Sequence, residues 1–172
     1  MALDKLPYAE GASWDPRLAC LAGTRITILS WAQAWLSSRT APILWLEGVA
    51  GSGKTAIAHQ VAQMFHEDGI LASSFFFSRN VFSRNSPQKL ITTIVRDIAN
   101  RHPAFAEEVS KILEGELALA SAPLTRQYQA LLWEPLQRHP LDKPIVVVID
   151  ALDESSCDDA DTELLRDRKS VV

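Results

Sequence analysis

Apolar and polar positions follow two rhythms along the chain, and the changes between them lay out its elements. From Thr24 onward, Ile26, Ile28, Leu29, Trp31, Ala32, Trp35 and Leu36 recur at helical spacing, and Pro42 ends the stretch. Ile43-Leu44-Trp45-Leu46 is a short continuous apolar run, which predicts a strand buried on both faces. A glycine-rich turn follows. Thr55 to about His66 returns to helical spacing, with Ile57, Ala58, Val61, Ala62 and Phe65 on one side. Leu71 to Phe77 predicts a second, aromatic strand, and residues 78–86 a polar loop. Helical patterns cover about 87–100, 104–114 and 125–138, with a break between Gly115 and Pro123. Ile145-Val146-Val147-Val148-Ile149 is wholly β-branched and reads as the clearest buried strand. Strands alternating with helices predict an α/β fold with a mainly parallel sheet. Residues 1–23, punctuated by Pro7, Gly11, Pro16 and Gly23, read as an arm or linker.

Composition narrows the setting. The 172 residues suit one domain with a short arm, and 47% hydrophobic with 22% charged residues is ordinary for a folded protein. The formal charge is −4 and no basic block stands out, so a nucleic-acid partner is not expected. Cys20 and Cys157 have neither metal-ligand spacing nor a disulfide framework, which fits a reducing compartment. The N-terminus lacks the pattern of a secretory signal, and no apolar run approaches the ~20 residues of a membrane span. A cytoplasmic protein with no membrane partner is expected.

The strongest chemical signal is Gly48-Val49-Ala50-Gly51-Ser52-Gly53-Lys54-Thr55, which satisfies G-x-x-x-x-G-K-[ST] in full. Glycines let successive backbone N–H groups turn inward around phosphate oxygens. The following helix presents its free N–H groups and positive dipole end to the same anion. Lys54 would bring a point charge to the β- and γ-phosphates, and Thr55 a hydroxyl to Mg²⁺. Gly48, Gly51, Ser52, Gly53, Lys54 and Thr55 are thus the expected phosphate-binding residues.

The β-branched run ends in Asp150-Ala151-Leu152-Asp153-Glu154. A carboxylate there stands at the C-terminal edge of the sheet, where α/β folds bind ligands. Asp150 is expected to hold Mg²⁺, usually through water, while Asp153 or Glu154 could orient or deprotonate an attacking water. By itself such a turn is more often a solvated loop; a P-loop about a hundred residues upstream gives it a role. Arg79 could reach a phosphate or a neighbouring subunit, but reads more readily as a surface loop residue. His59, His66, His102 and His139 are assigned no chemistry, and Trp31, Trp35 and Trp45 are read as core packing.

Taken together, Cys20-Leu21-Ala22-Gly23-Thr24-Arg25, Ile43–Gly48 running into the P-loop, Ser74-Phe75-Phe76-Phe77-Ser78-Arg79 and Ile149–Glu154 resemble the NACHT-type NTPase domain of nephrocystin-3-like proteins, which are STAND-class signalling ATPases. The resemblance covers about residues 15–165. It implies a three-layer αβα P-loop NTPase and an ATP-driven switch with weak hydrolysis that couples nucleotide state to self-association. It also implies that Thr24 and Arg25 lie near the base or ribose, although Thr24 reads equally well as a helix N-cap. A guanine-reading N-K-x-D and an L-S-G-G-Q signature occur nowhere in the chain, which disfavours a GTPase and an ABC-type ATPase.

The pattern also departs from the family. A complete member continues into a further strand with a sensor arginine, then helical and winged-helix parts, and that strand would lie between the P-loop strand and the strand of Asp150. Residues 24–166 are therefore expected to form a partial, incomplete NTPase domain that folds poorly alone. Residues 167–172, Asp-Arg-Lys-Ser-Val-Val, are expected to be a non-native tail, since they match a one-frame translation of a common sequencing adapter. The competing readings are a slow ATPase, a nucleotide-binding module with incidental turnover, and a truncated fragment with little autonomous function.

Overall fold

Two parallel strands, β1 (Leu71–Phe76) and β2 (Val146–Asp150), carry the centre of the computed structural model, which describes residues 2–38 and 40–155. Cys157 and the expected tail at 167–172 lie outside the described residues. Leu71 stands opposite Val146 and Phe76 opposite Asp150, with an irregularity between Leu71 and Ser73. The helices are α1 (Ile26–Ser38), α2 (Lys54–Glu67), α3 (Leu90–Ala99), α4 (Pro103–Gly115), α5 (Leu124–Gln127) and α6 (Glu134–Arg138). A π-helical stretch, Tyr128–Trp133, joins α5 to α6. Pro135 in the first turn of α6 lacks the N–H that would continue an α-helical ladder there.

Helices cover both faces of this small sheet. Ala62 and Phe65 of α2 pack with Leu71 and Val146 on one face, with Val148 beside them. On the other face Phe75 and Phe77 join Ile91, Ile94, Val95 and Ile98 of α3 and Phe105 and Val109 of α4. The larger core lies on that side, where α3 buries eight of its ten residues, six of them apolar. Fully burying a side chain such as Phe75 or Phe105 contributes roughly 1.5–3 kcal/mol.

Among the described residues the chain is thus mixed α/β with a two-stranded parallel sheet, and several sequence expectations change. The run Ile43–Leu46 is not a strand buried on both faces. Its four side chains are between 38% (Leu46) and 52% (Trp45) exposed, and the segment has no regular structure. A strand owes its burial to neighbours, and among the described residues the sheet contains only β1 and β2. For the same reason β2 is buried only at Val146, and Ile149 is 42% exposed. Of the tryptophans read as core, Trp31 is 64% exposed and Trp45 stands with the exposed run; Trp35 packs against the α2 cluster and donates its indole N–H to the Ala41 carbonyl.

The arm is not a free linker. Leu6, Ala9 and Ala12 are buried in the main core. The Phe76 N–H donates to the Ala12 carbonyl, and the Ala9 N–H to Thr93 Oγ1. Tyr8 and Ser73 both donate hydroxyls to the Asp97 carboxylate, at 2.9 and 2.5 Å. Burial pushes the Tyr8 hydroxyl up to about 12, so it remains a donor at neutral pH, and burial likewise raises Asp97. The arm's contacts join it to residues far along the chain, 84 positions apart for Ala9 and Thr93 and 89 for Tyr8 and Asp97, which is why no local pattern announces them.

Candidate functional site

The glycine-rich loop turns by backbone conformations that side chains resist. Gly51 (φ 77°) and Gly53 (φ 87°) are both left-handed, and Gly53 caps the start of α2. At Gly48 a Cβ would lie 2.9 Å from Ser52 Oγ, so a side chain there would force the Ser52 hydroxyl to move. The Lys54 ammonium closes the loop from inside, donating to the carbonyls of Gly48 (2.7 Å) and Val49 (3.0 Å). An ammonium has three N–H donors, so one remains for an anion held over the loop.

Alternation along β2 decides where Asp150 faces. Val146 and Val148 pack on the α2 side, and with a period of two so does Asp150. Lower on the same helix, His59 stacks on Phe76 with ring centroids 3.8 Å apart and feels the Asp150 charge. Thr55 lies one helical turn before His59 on the same face of α2, a rise of ~6 Å. The loop, Thr55 and Asp150 therefore gather at the C-terminal edge of the strands. Asp150 Oδ2 is buried with no hydrogen-bond partner. A buried carboxylate oxygen left this way fits a cation or its water, so the residues present are compatible with Mg²⁺.

After Asp150 the chain turns sharply through Ala151 (φ 55°) into a short 3-10 turn, Leu152–Glu154. Asp153 is exposed and Glu154 half-buried. The Arg79 N–H donates to Glu154 Oε2 and the Arg79 guanidinium to the Asp153 carbonyl, both at 3.2 Å. Arg79 reads from the sequence as a surface loop residue, with a phosphate or a neighbouring subunit as the alternative; its exposed contacts are to the acidic turn. No signal in the sequence pairs residues 75 positions apart.

Arg25 and Thr24 divide. The Arg25 guanidinium donates to the Ser52 carbonyl at 3.0 Å, bringing the start of α1 onto the loop. Arg25 also takes a left-handed conformation and its carbonyl accepts the first helical bond, from Leu29 N–H, so Arg25 occupies the cap position. Thr24 spends its hydroxyl on the Leu21 carbonyl at 2.6 Å and does not cap α1. Two surface hollows, of about 190 and 180 Å³, lie at the opposite, N-terminal end of the strands, one beside Tyr8, Trp14 and Asp97 and the other beside Gly69 and Ile145.

Comparison with curated proteins finds no match, and neither does comparison with solved structures. The family described as Nephrocystin 3, N-terminal does match, over residues 23–171. That span takes in the glycine-rich loop, the aromatic strand and the acidic turn. The chain belongs to the nephrocystin-3 N-terminal family.

Proposed function

We propose that the chain binds a nucleoside triphosphate, ATP by preference, at Gly48–Thr55 and acts as a nucleotide-dependent signalling switch of the NACHT type. The observation that carries this reading is the loop itself. Two left-handed glycines, a third packed close under the Ser52 hydroxyl and an internal lysine tie open onto the N-terminus of a 14-residue helix. Backbone donors, helix dipole and ammonium then act on one anion. Thr55 and Asp150 would hold Mg²⁺, with the orphaned Asp150 oxygen as its support. When bound, that ion would bridge and neutralise the β- and γ-phosphates.

Adenine is favoured because the chain has no N-K-x-D segment to read guanine. Arg25, anchored on Ser52, stands where the start of α1 meets the loop and is the residue best placed to follow nucleotide occupancy. Weak hydrolysis through Glu154 or Asp153, and self-association set by nucleotide state, complete the reading. The test is equilibrium binding of ATP and GTP with and without magnesium. ATP should bind more tightly than GTP and more tightly with magnesium than without; equal affinities in all four conditions would contradict the reading.

A further inference from the structure

From the contacts between the end of β1 and the acidic turn, we infer that Arg79 is a positioning residue that sets the Glu154 carboxylate for attack by water. The inference rests on the nucleotide-binding reading above. Arg79 grips the turn at two points, its N–H on Glu154 Oε2 and its guanidinium on the Asp153 carbonyl. The chain on either side of Arg79 is held in turn. The Phe77 N–H donates to the Asp150 carbonyl, the Ser78 N–H to the Arg84 carbonyl, and the Val81 N–H to the Ser78 carbonyl. The far side of the turn is closed from within, by Glu154 N–H on the Ala151 carbonyl and by the Ser155 hydroxyl on the Leu152 carbonyl.

The arrangement suits a general base. One carboxylate oxygen, Oε2, is pinned by a backbone donor, and Oε1, with no partner among the described residues, keeps its lone pairs for a water proton. In the step this would serve, the water oxygen bonds to the γ-phosphorus as the bond from phosphorus to the β,γ-bridging oxygen breaks. The water proton passes to Glu154 Oε1, and ADP and inorganic phosphate are the products. Removing the guanidinium leaves the N–H contact but frees the Asp153 carbonyl, so the turn loses its second point of attachment. Misplacement of a reacting group by about 1 Å costs on the order of 100-fold in rate.

The experiment compares the full chain with Arg79→Ala, Arg79→Lys, Glu154→Gln and the Arg79→Ala/Glu154→Gln double variant. ATP affinity and single-turnover hydrolysis are measured for each. Arg79→Ala should bind ATP within about twofold of wild type yet hydrolyse it roughly 10- to 100-fold more slowly. Arg79→Lys should recover part of the rate. Glu154→Gln should bind normally and turn over slowly, and adding Arg79→Ala to it should change nothing further, because both act through one carboxylate. Unchanged turnover in Arg79→Ala, or independent losses in the double variant, would overturn the inference. Binding without any turnover by wild type would overturn it too, while leaving the nucleotide reading in place. No ATP binding by wild type would overturn both.

Discussion

At Gly48 a Cβ would press on the Ser52 hydroxyl at 2.9 Å, and at Gly53 it would meet the Arg25 guanidinium at 3.3 Å on a left-handed backbone, φ 87°, that strains other residues. Each glycine is required for its own reason, and together they leave Lys54 free to tie the loop from inside. Asp150 is the complementary residue across the site. Its Oδ2 is buried with no hydrogen-bond partner among the described residues, a position that a cation or an ordered water would satisfy. Asp150→Asn keeps the size of the side chain and removes its charge. It should weaken ATP binding in magnesium by roughly tenfold, the scale of a lost charge-assisted contact, and leave metal-free binding unchanged. Titration of the variant with ATP in magnesium and in EDTA checks this. Equal loss in both would show that Asp150 supports the fold instead of the metal.

At the scale of elements, the arm and α2 meet at His59. Its Nδ1 accepts the Asp15 N–H at 3.0 Å, its ring lies on Phe76, and burial draws its pKa below the usual 6.5. Asp150 and Asp15 oppose that shift and Arg84 adds to it. A histidine with a depressed folded pKa contributes stability that is present above its unfolded value and is lost as pH falls through the folded one. Protonation would also put a proton on the nitrogen that accepts from Asp15, so acid should loosen the arm. The thermal midpoint of the wild-type chain should therefore fall as pH drops below about 6.5. His59→Gln should melt lower at pH 7.5 but show a flatter dependence on pH; an unchanged slope would mean that another group sets it.

The elements that the sequence predicted well are those whose evidence is local. The helical spacing of Ile57, Ala62 and Phe65, and the β-branched run into Asp150, depend on neighbours a few positions away. Ile43–Leu46 has the same local signature as a buried strand, but its burial needed a flanking strand that the described residues do not supply. The arm failed in the opposite sense. Its proline and glycine punctuation is that of a linker, while Tyr8, Ala9 and Ala12 find partners in β1 and α3 that no local window contains. The candidate site splits in the same way: the contiguous loop was legible, the grip of Arg79 on the acidic turn was not.

Across the whole molecule, the glycine-rich loop, Asp150, the acidic turn and Arg79 collect at one edge of the sheet, the edge toward which both strands run. That is where parallel α/β sheets place ligands, because loops leaving the strand ends converge there with helix N-termini. No helix among the described residues is long and apolar enough to cross a membrane. The central claim is that this edge holds a triphosphate through Lys54, and calorimetric titration of ATP with magnesium into wild type and Lys54→Ala tests it most directly. The account predicts a single saturable site in wild type and, in a variant that melts at the wild-type temperature, no measurable binding. An equally tight site in Lys54→Ala, or none in folded wild type, would contradict it.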